Sequence, residues 1–166
     1  MPPNSGTKQW DVISHNMMIN SHNVDSRGDH SAEEAIDNDD GSSYYKTHDN
    51  VFAYNHGGMK NDFDGHDNVH HNNLFCYISG PAVDITTKME PGHEDWFYNN
   101  TVVGTGLKYD LIARNTSVPP LVYDNQIYTQ NGEATAAGMP LYNGTTVSKW
   151  PNDTVLIGWA KGRLGL

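Results

Sequence analysis

The residues best suited to chemistry lie in one acidic stretch. It reads Ile36-Asp37-Asn38-Asp39-Asp40-Gly41-Ser42-Ser43, then Gly57-Gly58-Met59-Lys60, then Asp62-Phe63-Asp64-Gly65. Paired carboxylates can divide the general-acid and nucleophile roles when their surroundings push their proton affinities apart. Cleavage of a glycosidic bond with retention needs two such groups about 5–5.5 Å apart. Asp39 and Asp64 are the candidate pair. Asp37 competes as nucleophile, because in an extended run it shares a face with Asp39 while Asp40 turns away. Lys60 is the candidate cation that favours the ionised partner, and repulsion among the acids helps the other keep its proton.

Blander readings apply to the same residues. Asp and Gly suit tight solvated loops without any chemistry. A calcium loop of the EF-hand type fails on spacing, because its glycine would put Ile36 at the first ligand position and no glutamate follows at the twelfth. A non-standard Ca²⁺ site on stacked carboxylates is the one cofactor these residues suggest. Nine histidines fall between His15 and His93, but the spacing of His66, His70 and His71 beside Asp64 and Asp67 is not diagnostic of a metal. No metal ligands are assigned on this basis. His66, Tyr44 and Tyr45 are candidate sugar contacts, and Tyr54, Tyr98 and Trp96 could extend an aromatic platform or simply pack between layers.

The elements that must position these groups are short. Val51-Phe52-Ala53-Tyr54, Leu74-Phe75-Cys76-Tyr77 and Leu121-Val122-Tyr123 are β-prone pieces, each punctuated within a few residues by Asn, Asp, Gly or His. An apolar residue stands three before an asparagine in five places, at Asn20, Asn55, Asn72, Asn99 and Asn125. Intervals of 35, 17, 27 and 26 residues scatter around the repeat of a solenoid with loops of unequal length. Stacked windings bring like residues within about 4.8 Å, so asparagines at one bend can pass hydrogen bonds along as a ladder. Such stacking would also make neighbours of Asp39 and Asp64, which are 25 residues apart.

The pattern predicts an all-β chain: a right-handed parallel β-helix of about five to six irregular coils, forming one domain over residues 1–166. An antiparallel sandwich with Asn-rich turns is the competing architecture, but the strict alternation and hairpin signals it needs are missing. Open solenoid ends need covers. Residues 1–12 and 151–166 are the candidate capping or contact segments, unless the chain is part of a longer solenoid or another subunit covers the ends. No amphipathic capping helix is evident, and the apolar run Val155-Leu156-Ile157-Gly158-Trp159-Ala160 reads as a final strand or a contact surface.

The acidic stretch resembles β-helix glycoside hydrolases of the β-xylosidase type, within the pectate-lyase-like β-helix proteins. There an acidic run with Gly-Ser-Ser precedes a Gly-Gly-apolar-Lys element and then an acid-glycine pair. The resemblance covers about thirty residues. It implies a retaining mechanism in which Asp39 attacks the sugar and Asp64 protonates the leaving oxygen. The chain departs from the pattern after Lys60, where Asn61-Asp62-Phe63-Asp64 carries one extra residue and an aspartate in place of an arginine-glutamate pair.

Composition narrows the function classes. Ten Lys plus Arg against 20 Asp plus Glu give a formal charge of -10, which repels nucleic acid and anionic lipid. No apolar run nears the roughly 20 residues of a membrane span. Cys76 is the only cysteine, which rules out an internal disulfide and suggests a buried, inert thiol. Sequons at Asn99, Asn115, Asn143 and Asn152 fit a secreted, extracellular glycoprotein, although the opening Met1-Pro2-Pro3-Asn4-Ser5 lacks the apolar core of a signal peptide. The expected function is a polysaccharide- or glycan-active glycoside hydrolase. The alternative is a non-catalytic structural or adhesive glycoprotein whose β-helix ends stack into an end-to-end homo-oligomer. A lyase or epimerase would want more basic residues than Lys60, Lys88 and Arg27 supply.

Overall fold

A computed structural model describes residues 9–22, 34–86, 89–104, 111–113, 118–128, 136–137, 145–147 and 151–166. Strands of three to six residues dominate it, and every pairing between them is parallel. Sheet A stacks β1 (Asp11–Ser14), β4 (Tyr45–His48), β7 (Val69–His71), β10 (Trp96–Tyr98) and β13 (Leu121–Tyr123). Sheet B stacks β2 (Met17–Ile19), β5 (Val51–Ala53), β8 (Leu74–Ile78), β11 (Thr101–Gly104), β14 (Gln126–Tyr128) and β16 (Thr145–Val147). Sheet C stacks β3 (Glu34–Asn38), β6 (Gly57–Asp62), β9 (Val83–Thr86), β12 (Leu111–Ala113) and the two-residue β15 (Ala136–Ala137). The chain visits A, B and C in turn and pairs each strand with its counterpart one winding on. That is a parallel β-solenoid, and it overturns the antiparallel sandwich.

The interior is built from alternate residues of all three sheets. Phe52 and Phe75 stack with centroids 4.8 Å apart, and Phe97 leans on Phe75 at 5.8 Å. Ile36, Met59, Val83 and Ile85 close the core from sheet C. Gly58 is required there, because a Cβ would come within 2.1 Å of the Ala82 carbonyl oxygen and 2.6 Å of the Phe75 ring.

The bend from sheet A to sheet B takes two residues, and each has its own reason to be polar. His15, Asp49, Asn72, Asn99 and Asp124 occupy the first place with φ between 52° and 58°, a left-handed conformation that Asn and Asp tolerate best. Asn16, Asn50, Asn73, Asn100 and Asn125 occupy the second. Each Asn Nδ2 of the first four donates to the Oδ1 of the next, at 3.1, 3.1, 3.1 and 3.2 Å. The same oxygens accept the backbone N–H of the preceding winding's asparagine. The sequence repeat centred on 20, 55, 72, 99 and 125 therefore merges three structural positions. Asn72 and Asn99 are one residue short of the ladder, and Asn20 and Asn55 lie beyond sheet B, where Asn55 Oδ1 accepts from the Ser21 backbone at 2.8 Å.

The segment expected as a final strand or a contact surface is not a strand but helix α1 (Asp153–Leu164), and it packs against the solenoid. Asn152 caps it by accepting from Val155 N at 3.0 Å, and Gly165 closes it with φ 71°. Leu156, Trp159, Ala160 and Leu164 recur at helical spacing and cover Val51, Ala53, Leu74, Cys76 and Val103 on the outer face of sheet B. Both faces of β5 and β8 are thus largely buried, which is why they read as unbroken apolar runs. Burial also pushes the Cys76 thiol up to about 12, against the pull of Arg163. Among the described residues no helix is long and apolar enough to cross a membrane.

The two asparagines of one bend separate cleanly by mutation. Asn100→Ala strands buried donors and acceptors on two windings and should cost about 2–4 kcal/mol in urea unfolding. Asn99→Gly keeps the left-handed backbone and should change stability by less than about 0.5 kcal/mol.

Candidate functional site

The acidic residues gather where β3 and β6 end. Asp37 pairs in register with Lys60 and Asn38 with Asn61, so Asp39 falls opposite Asp62. Alternation sends Asn38 and Asn61 into the core and leaves Asp37, Asp39, Lys60 and Asp62 on the outer side of sheet C. Lys60 Nζ stands 3.1 Å from Asp37 Oδ2, 2.9 Å from Asp62 Oδ2 and 3.9 Å from Asp39 Oδ1. One oxygen from each of the three aspartates lies within 4.8 Å of the others.

Asp64 does not share a rung with Asp39. A turn closed by Gly65 N donating to Asp62 O at 3.2 Å carries Phe63 and Asp64 in left-handed conformations, and Asp64 is exposed beyond the strand end. The register between these windings is 23 residues, as the Asn38–Asn61 hydrogen bond of 2.7 Å shows, rather than the 25 separating Asp39 from Asp64. Asp62 is the residue that sequence reasoning missed. Its signal was present in the 23-residue spacing of Asn50 and Asn73.

The turn Asp39–Ser42 is bound to this floor. Ser42 N and Oγ both donate to Asp39 O, at 3.2 and 2.7 Å, and Gly41 N donates to Asp62 O at 3.3 Å. Gly41 adopts φ 77°, which explains the glycine that ends the acidic run.

Electrostatics differ within the group. Asp62 is only 5% exposed, whereas the Asp39 side chain is 53% exposed. Burial raises the Asp62 carboxyl, the hydrogen bond from Lys60 opposes that rise, and a carboxyl-to-carboxyl contact with Asp39 adds to it. No N–H or hydroxyl donor reaches the buried Asp62 Oδ1. Burial works against the Lys60 charge, but Asp62 and Asp37 outweigh it and hold the ammonium above its ordinary range. The cation at the centre of the suggested Ca²⁺ site is thus Lys60 itself.

Behind the site runs a buried polar chain. Asn38 Nδ2 donates to Asn61 Oδ1, and Asn61 Nδ2 donates to His70 Nε2 and to Asp95 Oδ2, both at 2.9 Å. Asp95 Oδ1 accepts from Asn68 N at 2.8 Å, and Asn68 Oδ1 accepts from Tyr45 N at 3.1 Å. This is a second ladder, at the bend into sheet A. Burial pushes Asp95 up to about 7, and hydrogen bonds involving Asn68 and Asn61 restrain the rise. Burial drives His70 down to about 3, with the neighbouring His71 adding to the shift.

The remaining sequence candidates scatter. Tyr45 opens β4, and Tyr44 meets His66 edge-on at 5.6 Å. Tyr98 lies in an outer column of sheet A with His48, His71 and Tyr123, at centroid spacings of 4.9–5.1 Å. Its neighbours cover both ring faces, so this column presents edges rather than a sugar-stacking platform. Tyr54, just after β5, stacks instead on Tyr77 of β8. Asn99 and Asn152 are exposed, whereas Asn115 and Asn143 lie outside the described residues. No protein-family model matches the chain, and no curated protein or solved structure is significantly similar to it.

Two measurements test these electrostatics. Lys60→Met leaves three carboxylates together without their cation, so it should destabilise the protein by roughly 2 kcal/mol at pH 7, below the 3–5 of a fully buried pair. Urea midpoints should show the deficit shrinking as acid protonates the group. The buried pair gives opposite slopes. Asp95 binds its proton more tightly when folded, so its contribution is fully present below about pH 4 and is lost as pH rises through about 7. His70 resists protonation when folded, so its contribution is present above about pH 6.5 and is lost as pH falls toward about 3. Asp95→Asn should therefore unmask a loss of stability on acidification from pH 6.5 to 4 that is steeper than in the wild type.

Proposed function

We propose that the protein is a polysaccharide-active β-solenoid of the glycoside hydrolase kind, working through Asp37, Asp39 and Asp62 around Lys60. The single observation that carries this reading is the gathering of Asp37, Asp39 and Asp62 around Lys60, with one oxygen of each carboxylate within 4.8 Å of the others. One oxygen of each acid lies within 4.8 Å of the others, so the group is more compact than the roughly 6.5–9.5 Å of inverting enzymes and compatible with the retaining separation of about 5–5.5 Å. The likeness of the acidic stretch to β-xylosidase-type β-helix enzymes points the same way.

Roles follow from exposure and pairing. Asp39 is the most exposed of the three acids and the least tied to Lys60, which suits it to the general-acid role at the leaving oxygen. Asp37, fixed by Lys60, then attacks the anomeric carbon as the glycosidic bond breaks. Water, deprotonated by Asp39, hydrolyses the resulting ester and restores both groups. Glycans at Asn99 and Asn152 and an extracellular location belong to the same reading.

A second reading has one observation in its favour. Helix α1 contacts β5 and β8 on the flank of the solenoid rather than lying across an end, which suits end-to-end stacking of copies. Sedimentation across a concentration series separates the two, since a stacking protein grows beyond a defined oligomer.

The hydrolase reading is tested by assaying aryl β-xylosides and related aryl glycosides. Asp37→Asn and Asp39→Asn should each lower kcat/KM by about 100-fold or more, and Asp64→Asn should leave it within about threefold. Activity that survives the first two changes, or absence of activity in the wild type, removes the proposal.

A further inference from the structure

A second cluster stands on the bend from sheet C into sheet A, and the carboxylate reading does not use it. His66 and His93 occupy the same place on successive windings, because Val69 pairs with Trp96 three residues further on in each case. Between them is Asp67, whose side chain is only 9% exposed and whose backbone N–H donates to His93 O at 3.3 Å. One carboxylate oxygen, Asp67 Oδ2, lies 2.9 Å from His66 Nδ1 and 2.6 Å from His93 Nδ1. The two rings meet edge to face with centroids 5.3 Å apart.

We infer that His66, Asp67 and His93 form a three-ligand site for a borderline divalent transition ion, with Zn²⁺ as its type. Two imidazoles and one carboxylate match the donor preference of such ions, whereas Ca²⁺ and Mg²⁺ want oxygen alone. Tetrahedral zinc with bonds of about 2.0–2.1 Å sets its ligand atoms about 3.3 Å apart. The present separations are shorter by roughly half an ångström, and two partly exposed rings can open by that much without disturbing the windings. The carboxylate is the fixed point: it is buried, and its residue is anchored by the rung. Half-exposed His93 leaves the outer side of the site to solvent, so a fourth position stays open to water or to an oxygen ligand, as in zinc sites that do chemistry. The chain's charge of -10 favours taking up a cation.

Spacing in the sequence conceals this set, since His66 and His93 are 27 residues apart and follow no metal motif. Only the rung register brings them together.

The test uses the full chain, stripped of metal and titrated with Zn²⁺ by calorimetry and with Co²⁺ by visible absorption. One equivalent should bind, with the intense bands of a four-coordinate cobalt site, and His93→Ala should weaken binding by about 100-fold or more. His93 lies at the rim, so its replacement leaves the core intact, and circular dichroism checks this. Should the variant nonetheless unfold, His66→Gln and Asp67→Asn give the same reading. Asp62→Asn should bind zinc as the wild type does, so failure of the carboxylate reading and failure of this one are distinguishable. Absence of saturable binding, binding unchanged in the folded His93→Ala or its substitutes, or a cobalt spectrum of six-coordinate surface histidines would overturn the assignment.

Discussion

Parallel hydrogen bonding between successive windings makes every residue a neighbour of its counterpart one coil away, and the asparagine ladder locks that register at the sheet A to sheet B bend. Backbone pairing alone leaves the polar groups of a tight buried bend unsatisfied, which would cost more than the bend gains. The ladder answers this because Asn50, Asn73 and Asn100 each accept from the winding before and donate to the winding after. Once the register is fixed, chemistry on the outer faces follows from which residue types fall into the same column. Like charges in one column repel across about 4.8 Å, so a mixed column is favoured. Asp37, Lys60 and Asp84 form such a column, with the lysine between its acids.

The same register explains how proton affinities come to be perturbed on both sides of β6. Along β6, Lys60 and Asp62 look outward while Asn61 looks inward, so the outer carboxylates and the inner chain of Asn38, Asn61, His70 and Asp95 share one strand as their floor. Asp95 occupies a ladder position where the equivalent residue one winding earlier is the neutral Asn68. Burial raises the proton affinity of a carboxyl in that place, although both of its oxygens accept hydrogen bonds. Nearby, His70 is kept neutral by burial although it accepts only one hydrogen bond, from Asn61. A buried acid whose proton affinity is raised and a buried base whose proton affinity is lowered are coupled through a single amide, and both shifts act against formal charge in the core.

Much of the fold was legible, because it depends on local chemistry. Short β-prone pieces separated by Asn and Asp cannot form long helices, and the recurrence of Asn at the bends called for stacking. The asparagines carrying the ladder were mistaken for their neighbours, because Asn72-Asn73 and Asn99-Asn100 each put two asparagines side by side for different reasons, one for its backbone conformation and one for its amide. Helix α1 was misread although its cap, its glycine stop and the spacing of Leu156, Trp159, Ala160 and Leu164 were all present. Two internal glycines lower its intrinsic propensity, and packing on sheet B supplies what propensity does not.

The amino-acid sequence by itself determined the solenoid and the acidic outer face, since strand length, bend residues and the alternation of Asp37 and Asp39 are local properties. Only the tertiary structure decided that Asp39 meets Asp62 instead of Asp64, and that His66 meets His93. The physical reason lies in the connections: ladder asparagines are separated by 34, 23, 27 and 25 residues from one winding to the next. With loops so unequal, no fixed period converts position in the chain into position on a rung, and the pairing becomes definite only when the hydrogen bonds between windings form.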